Sequence, residues 1–215
     1  MARTGSFDIA GPAGALEGIL MLPDGPPLAT AVVCHAHPLQ GGVMHFKPVF
    51  RAAKALQDHG LAALRFNFRG AGRSQGTHDE GRGEQDDVRA AAAEMERRFP
   101  GLPLVLGGFS FGSVMALRVG AADARVRALF ALAIPLAGIP DPSFLDACRT
   151  PRLFVQGWAD PFGDGARIRA LVARLPEPKT LAVVEGADHF FSGRLEAFQQ
   201  AVADWAAQRP WQAAP

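Results

Sequence analysis

No stretch of about 18 consecutive apolar residues occurs in the sequence, so no membrane-spanning helix is expected. The first residues, Met1 to Asp8, lack the apolar core of a secretory signal. Cysteine is scarce. Cys34 and Cys148 each sit beside apolar residues and form no C-x-x-C pair, which points to buried reduced thiols. An excess of charge of one sign is also missing. Lys and Arg number 22 against 21 Asp and Glu, and the arginines are scattered. A net charge of +1 gives no electrostatic reason to bind nucleic acid or an acidic membrane. Repeats, low-complexity tracts and internal linkers are absent too. A single domain over residues 1–215 is therefore expected, in a cytoplasmic protein. A hydrophobic content of 48% supports one sizeable core, and a chain of this size buries roughly 70–75% of its unfolded surface.

What is present is an alternation. Phe7–Ala10 and Leu16–Leu22, split by Gly11-Pro12-Ala13-Gly14, read as an antiparallel hairpin. Apolar runs at Thr30–His35, Leu61–Phe68, Leu104–Leu106, Arg127–Ile134, Arg152–Gly157 and Thr180–Val184 read as strands buried on both faces. Between most of them lie stretches of helical period. These are Val49 to Leu56, Glu84 to Arg98, Val114 to Val119, Gly165 to Leu175 and Leu195 to Trp205. Glu84, Asp86 and Asp87 open the second of these and Arg97-Arg98 close it, as the helix dipole favours. The pattern predicts an α/β fold, a doubly wound and mostly parallel sheet with helices on both faces. Pro140 to Cys148 reads as a loop or short helix over the top of the sheet, and the Pro135 to Cys148 region is too short for a lid domain.

Gly108-Phe109-Ser110-Phe111-Gly112 joins a predicted strand to a predicted helix. A G-x-S-x-G in that setting is a nucleophile elbow, with the serine hydroxyl lifted above the sheet. Side chains at Gly108 and Gly112 would collide with the neighbouring strand and helix. A serine hydroxyl is a poor nucleophile until a base takes its proton. In parallel α/β sheets ligands gather at the carboxyl ends of strands, and two further reactive groups follow strand ends there. Asp160 lies in Gln156-Gly157-Trp158-Ala159-Asp160, and His189 in Asp188-His189-Phe190-Phe191. Ser110, Asp160 and His189 thus occur in the chain order that such an elbow requires. Their expected roles are nucleophile, acid and base. Asp164 and Asp188 are rival acids. Asp188 adjoins His189 in sequence and points away from its ring.

An oxyanion needs N–H donors. Phe111 supplies one. The loop after the Thr30 strand supplies the other, with His37 the first candidate and Leu39 the second; Pro38 has no N–H. Met44, Phe109, Trp158 and Phe190, together with Phe111, are expected to line an apolar, shallow substrate pocket. His35, His37 and His45 carry no Asp or Glu at metal spacing, so no metal is expected. Gly107 to Gly112 is followed by Ser113-Val114 rather than the Lys-Ser/Thr of a phosphate loop. Gly70-Ala71-Gly72 has Gln75 where a dinucleotide fingerprint needs glycine. No cofactor is expected.

These residues together resemble the α/β-hydrolase superfamily, more narrowly its small, lidless, dienelactone-hydrolase-like branch of predicted esterases. The resemblance is carried by Cys34 to Gly42 (CHAHPLQGG), Phe66 to Ser74 (FNFRGAGRS), Gly83 to Asp87 (GEQDD), Gly107 to Gly112 and Asp188 to Phe191. It runs from about residue 30 to 205. It implies Ser110 as nucleophile, Asp160 as acid and His189 as base. The chain departs from the common pattern at Ala36, where Pro or Gly is usual, and at Trp158, often polar. The expected activity is hydrolysis of small-molecule carboxylic esters, short-chain or small aromatic, through an acyl-enzyme. Peptidase, thioesterase or acyltransferase chemistry on the same fold, or a non-catalytic binding domain, are the alternatives.

Overall fold

The computed structural model describes residues 3–139 and 141–212, with only the backbone of Arg3. Pro140, the first residue of the expected Pro140–Cys148 loop, lies outside the described residues, as do 1–2 and 213–215 of the expected domain. Eight strands form one sheet. They are β1 (Arg3–Gly11), β2 (Gly14–Leu22), β3 (Ala29–Cys34), β4 (Leu61–Phe66), β5 (Leu104–Phe109), β6 (Val126–Leu132), β7 (Arg152–Gly157) and β8 (Lys179–Val184). Their order is β1-β2-β4-β3-β5-β6-β7-β8. β1 and β2 form the expected hairpin, and β2 runs antiparallel to β4. Every other neighbouring pair is parallel.

Five helices cover the sheet: α1 (Lys47–Asp58), α2 (Arg82–Arg98), α3 (Phe111–Ala121), α4 (Gly165–Arg174) and α5 (Leu195–Ala207). The two-residue period of a strand decides which helix each side chain meets. All six residues of β3 are buried. Val32 and Cys34 join the core under α2, α3 and α4, with Val88, Leu117 and Ile168. Ala31 and Val33 join the opposite core under α1 and α5, with Leu56, Phe198 and Trp205. Between β6 and β7 the described residues form only two short 3-10 turns, Leu136–Gly138 and Ser143–Leu145. No insertion of lid-domain size interrupts the described residues. No helix among them is long and apolar enough to cross a membrane.

Two strands end sooner than the apolar runs predict, because side chains take over the ladder hydrogen bonds. β4 stops at Phe66 rather than Phe68. The Phe68 N–H donates to His35 Nε2 at 3.0 Å, and the Arg69 N–H to the Asp87 carboxylate at 3.0 Å. β6 stops at Leu132 rather than Ile134, whose N–H donates to Gln156 Oε1 at 2.9 Å. α2 starts two residues earlier than expected. The Glu84 carboxylate, fully buried, accepts the N–H groups of Gly81 and Asp79 at 2.8 and 2.9 Å, closing the first turn.

Candidate active site

β5 runs straight into α3, and Ser110 occupies the turn with φ 53° and ψ −122°. Few L-residues adopt such a backbone, so the surroundings must enforce it. They do so by close approach. A Cβ on Gly108 would sit 2.6 Å from the Gly112 backbone carbon, and one on Gly112 would sit 2.3 Å from the His35 carbonyl oxygen. The Ser110 N–H donates to Leu132 O at 2.8 Å, anchoring the turn to β6.

Two other strand ends deliver their side chains to this hydroxyl. Ser110 Oγ lies 2.9 Å from His189 Nε2, and His189 Nδ1 lies 2.8 Å from Asp160 Oδ2. An ionised carboxylate only accepts, so Nδ1 carries the proton and Nε2 is free to accept from the serine. Asp160 and His189 are almost entirely buried, at 1% and 5% exposure. Burial of a carboxylate requires donors. Asp160 has three, namely His189, the Phe162 N–H at 2.8 Å on Oδ1, and Gln156 Nε2 at 2.8 Å on Oδ2. Gln156 also donates to Gly163 O at 2.7 Å, so one buried amide ties the end of β7 to the acid-bearing turn. The rings of Phe109, Phe162 and Phe190 pack around the imidazole with centroids 5.4, 4.7 and 5.2 Å away.

The rival acids have other partners. Asp164 caps α4, accepting from the Ala166 and Arg167 N–H groups. Asp188 accepts from Phe190 and Ser192 N–H and shapes the turn that carries His189. The loop after β3 separates the two oxyanion candidates as well. The Leu39 N–H is engaged by His37 Nδ1 at 3.3 Å, and its side chain is 74% exposed, so Leu39 is corrected out of the site. His37 borders the same cavity as Ser110 and Phe111, and its ring packs against Phe111 with centroids 4.9 Å apart.

A cavity of about 610 Å³ opens at Ser110. Of the expected pocket residues, Phe111 and Phe190 line it, and Phe190 is half exposed. Three do not. Met44 is fully buried because Asn67 Oδ1 accepts its N–H at 2.8 Å and Arg65 Nη1 donates to its carbonyl at 2.6 Å, drawing it under the loop. Phe109 is fully buried between Phe46 and His189, so it supports the base from below. Trp158 lies against Gly165 and under the Arg169 guanidinium, 4.8 Å from its ring, off the cavity wall. The wall is built instead by Val114, Met115 and Arg118 of α3, by Phe162, and by Pro135 and Gly138. Val114, Met115 and Gln156 are not among the expected site residues. Their signal was helical spacing from Ser110, and for Gln156 a lone amide in a buried strand.

His35 stands behind the loop. Its ring is wholly buried, with Nδ1 2.6 Å from Ala36 O and Nε2 accepting the Phe68 N–H. Burial pushes its pKa down from 6.5 to about 4. The unfolded chain therefore binds a proton below pH 6.5 that the folded chain refuses, and stability falls as pH drops from 6.5 toward 4. Between pH 7.5 and 5.0 this one group is expected to remove about 2 kcal/mol. Urea unfolding at both pH values should show a shallower pH dependence in His35→Gln. Equal slopes in the two proteins would refute a neutral buried imidazole.

Residues 29–208 match the family model described as an alpha/beta hydrolase domain. An uncharacterized protein, RP471, of Rickettsia prowazekii is 36% identical over 204 residues, covering 91% of this chain and 85% of its own. An alpha-beta serine hydrolase homologue from Coxiella burnetii superposes with a TM-score of 0.87 at 37% identity, over 93% of this chain and 96% of that one. XC6422 from Xanthomonas campestris, an α/β serine hydrolase without a lid, superposes at 0.87 with 35% identity, over 99% and 97%. The fold, the elbow and the family match agree, and this chain belongs to the α/β hydrolase domain family.

Proposed function

We propose that the protein is a serine hydrolase that cleaves small carboxylic esters through an acyl-enzyme. The observation that carries this reading is the continuous hydrogen-bond series from Ser110 Oγ through His189 to Asp160. In this reading Ser110 attacks the ester carbonyl while its proton passes to His189 Nε2. Asp160 holds the tautomer and stabilises the imidazolium. The Phe111 and His37 N–H groups hold the oxyanion, aided by the positive end of α3. His189 then protonates the departing alkoxide. Water, deprotonated by the same imidazole, releases the acid and restores Ser110. The names of the Coxiella and Xanthomonas relatives, both called serine hydrolases, support the same class. The cavity has no lid among the described residues, which favours short-chain or small aromatic acyl groups.

Labelling with a fluorophosphonate probe followed by peptide mass spectrometry is expected to find the adduct on Ser110. Hydrolysis of 4-nitrophenyl acetate and butyrate should accompany it. No adduct together with no hydrolysis would overturn the reading in favour of a non-catalytic domain. Turnover of thioesters or peptides with inert oxygen esters would move the reaction class.

A further inference from the structure

One cavity wall carries a repeat that ester cleavage by itself leaves unused. Phe111, Val114, Met115 and Arg118 all line the cavity, and their spacing puts them on one stripe of α3. The stripe begins beside Ser110 and ends in a cation. Its middle is apolar and tightly packed, with Val114 and Met115 at 7% and 6% exposure. Arg118 lies eight positions after Ser110, about 12 Å along a helix axis. Helical side chains lean toward the N-terminus, so the guanidinium reaches back over part of that length.

Arg118 is exposed, and its guanidinium lies over the Phe144 ring, 4.8 Å from the centroid. Stacking fixes the plane of the fork and leaves its N–H edge open to a carboxylate. Arg118 forms no ion pair among the described residues. Asp141 senses its field, but the Asp141 oxygens accept from the Ser143 N–H and Oγ. The other formal charges on the cavity, Glu80 and Arg82, lie 3.4 Å apart, and Arg82 also pairs with Asp79 at 2.8 Å. Among the described residues on the cavity, Arg118 is therefore the cation left for a ligand.

The side of the site follows from proton transfer. The leaving group must lie toward His189, which protonates it, so the α3 stripe faces the acyl arm. We infer that the acyl arm is linear and apolar and ends in a carboxylate held by Arg118. The substrate class is then half-esters of dicarboxylic acids, with a spacer of roughly four to eight carbons matching the helix rise. This inference rests on the serine-hydrolase reading, and the experiment separates the two.

Mono-4-nitrophenyl esters of hexanedioic and octanedioic acid are compared with neutral 4-nitrophenyl esters of matched length. The wild type is expected to favour the acid esters about tenfold in kcat/KM. Arg118→Gln should lower that preference roughly tenfold through KM, the equivalent of about 1.4 kcal/mol. Arg118→Lys should keep part of it, and added salt should weaken it. In parallel, calorimetry measures monomethyl octanedioate binding to Ser110→Ala and to Ser110→Ala/Arg118→Gln, with about tenfold weaker binding expected in the second. Hydrolysis of neutral esters with no Arg118-dependent preference and no binding difference overturns the inference and leaves the hydrolase reading standing. Arg118-dependent binding with no hydrolysis of any ester keeps the anion site and overturns the hydrolase reading.

Discussion

Replacing His189 with Ala is expected to lower kcat for 4-nitrophenyl acetate by roughly five orders of magnitude. The reason lies in the geometry of a single proton. Ser110 Oγ has one base at 2.9 Å, and that base is His189. Without it the hydroxyl attacks as a neutral alcohol, and the alkoxide departs unprotonated. In the proposed mechanism the residual rate would come from the Phe111 and His37 N–H donors. The proposed mechanism makes Ser110 and His189 one unit, so their effects should not multiply. The Ser110→Ala/His189→Ala double variant should be no slower than the worse single variant. Steady-state kinetics on the three proteins checks this. Multiplying losses, or a His189→Ala enzyme within tenfold of wild type, would sink the assignment.

The second large effect concerns folding. Gly112→Ala is expected to destabilise the protein by at least about 4 kcal/mol, near the exceptional end for one substitution. The new Cβ would meet the His35 carbonyl oxygen at 2.3 Å and the Cys34 carbonyl carbon at 2.7 Å. Both are backbone atoms at the end of the central strand β3, so no side chain can swing away. Overpacking usually costs about 1–3 kcal/mol because side chains yield, and here none is available. For a domain of this size the thermal midpoint should fall by about 10 °C. Gly5→Ala is the control, since its Cβ would meet nothing within 4 Å. A Gly112→Ala midpoint within 2–3 °C of wild type would mean that β5 and α3 separate more easily than their packing implies.

The sequence carried the sheet, the elbow and the order of the three polar groups because each is encoded locally. Apolar runs such as Thr30–His35 mark strands buried on both faces, and in a parallel sheet reactive groups gather where those runs stop. Long-range decisions were not legible. Val114 and Met115 look like core from their spacing, and they are core on one flank while their other flank meets the cavity. Trp158 looks like a pocket ring until Gly165, seven residues on, packs its backbone against it. The choice between His37 and Leu39 turned on where one imidazole nitrogen points. Gln156 lies within a fully buried strand, and its partners Asp160 and Ile134 come from different segments.

The three strands that bear the proposed machinery do not share equal protection. β5 has neighbours on both sides, whereas β8 is one of the two edge strands and pairs only with β7. Most β8 side chains are only half buried, while every residue of β5 is buried. Strand margins open with smaller free energies than strand interiors. The imidazole thus follows a half-buried edge strand and the serine a fully buried interior strand. Fraying at β8 is therefore expected to displace His189 while the elbow on β5 stays folded.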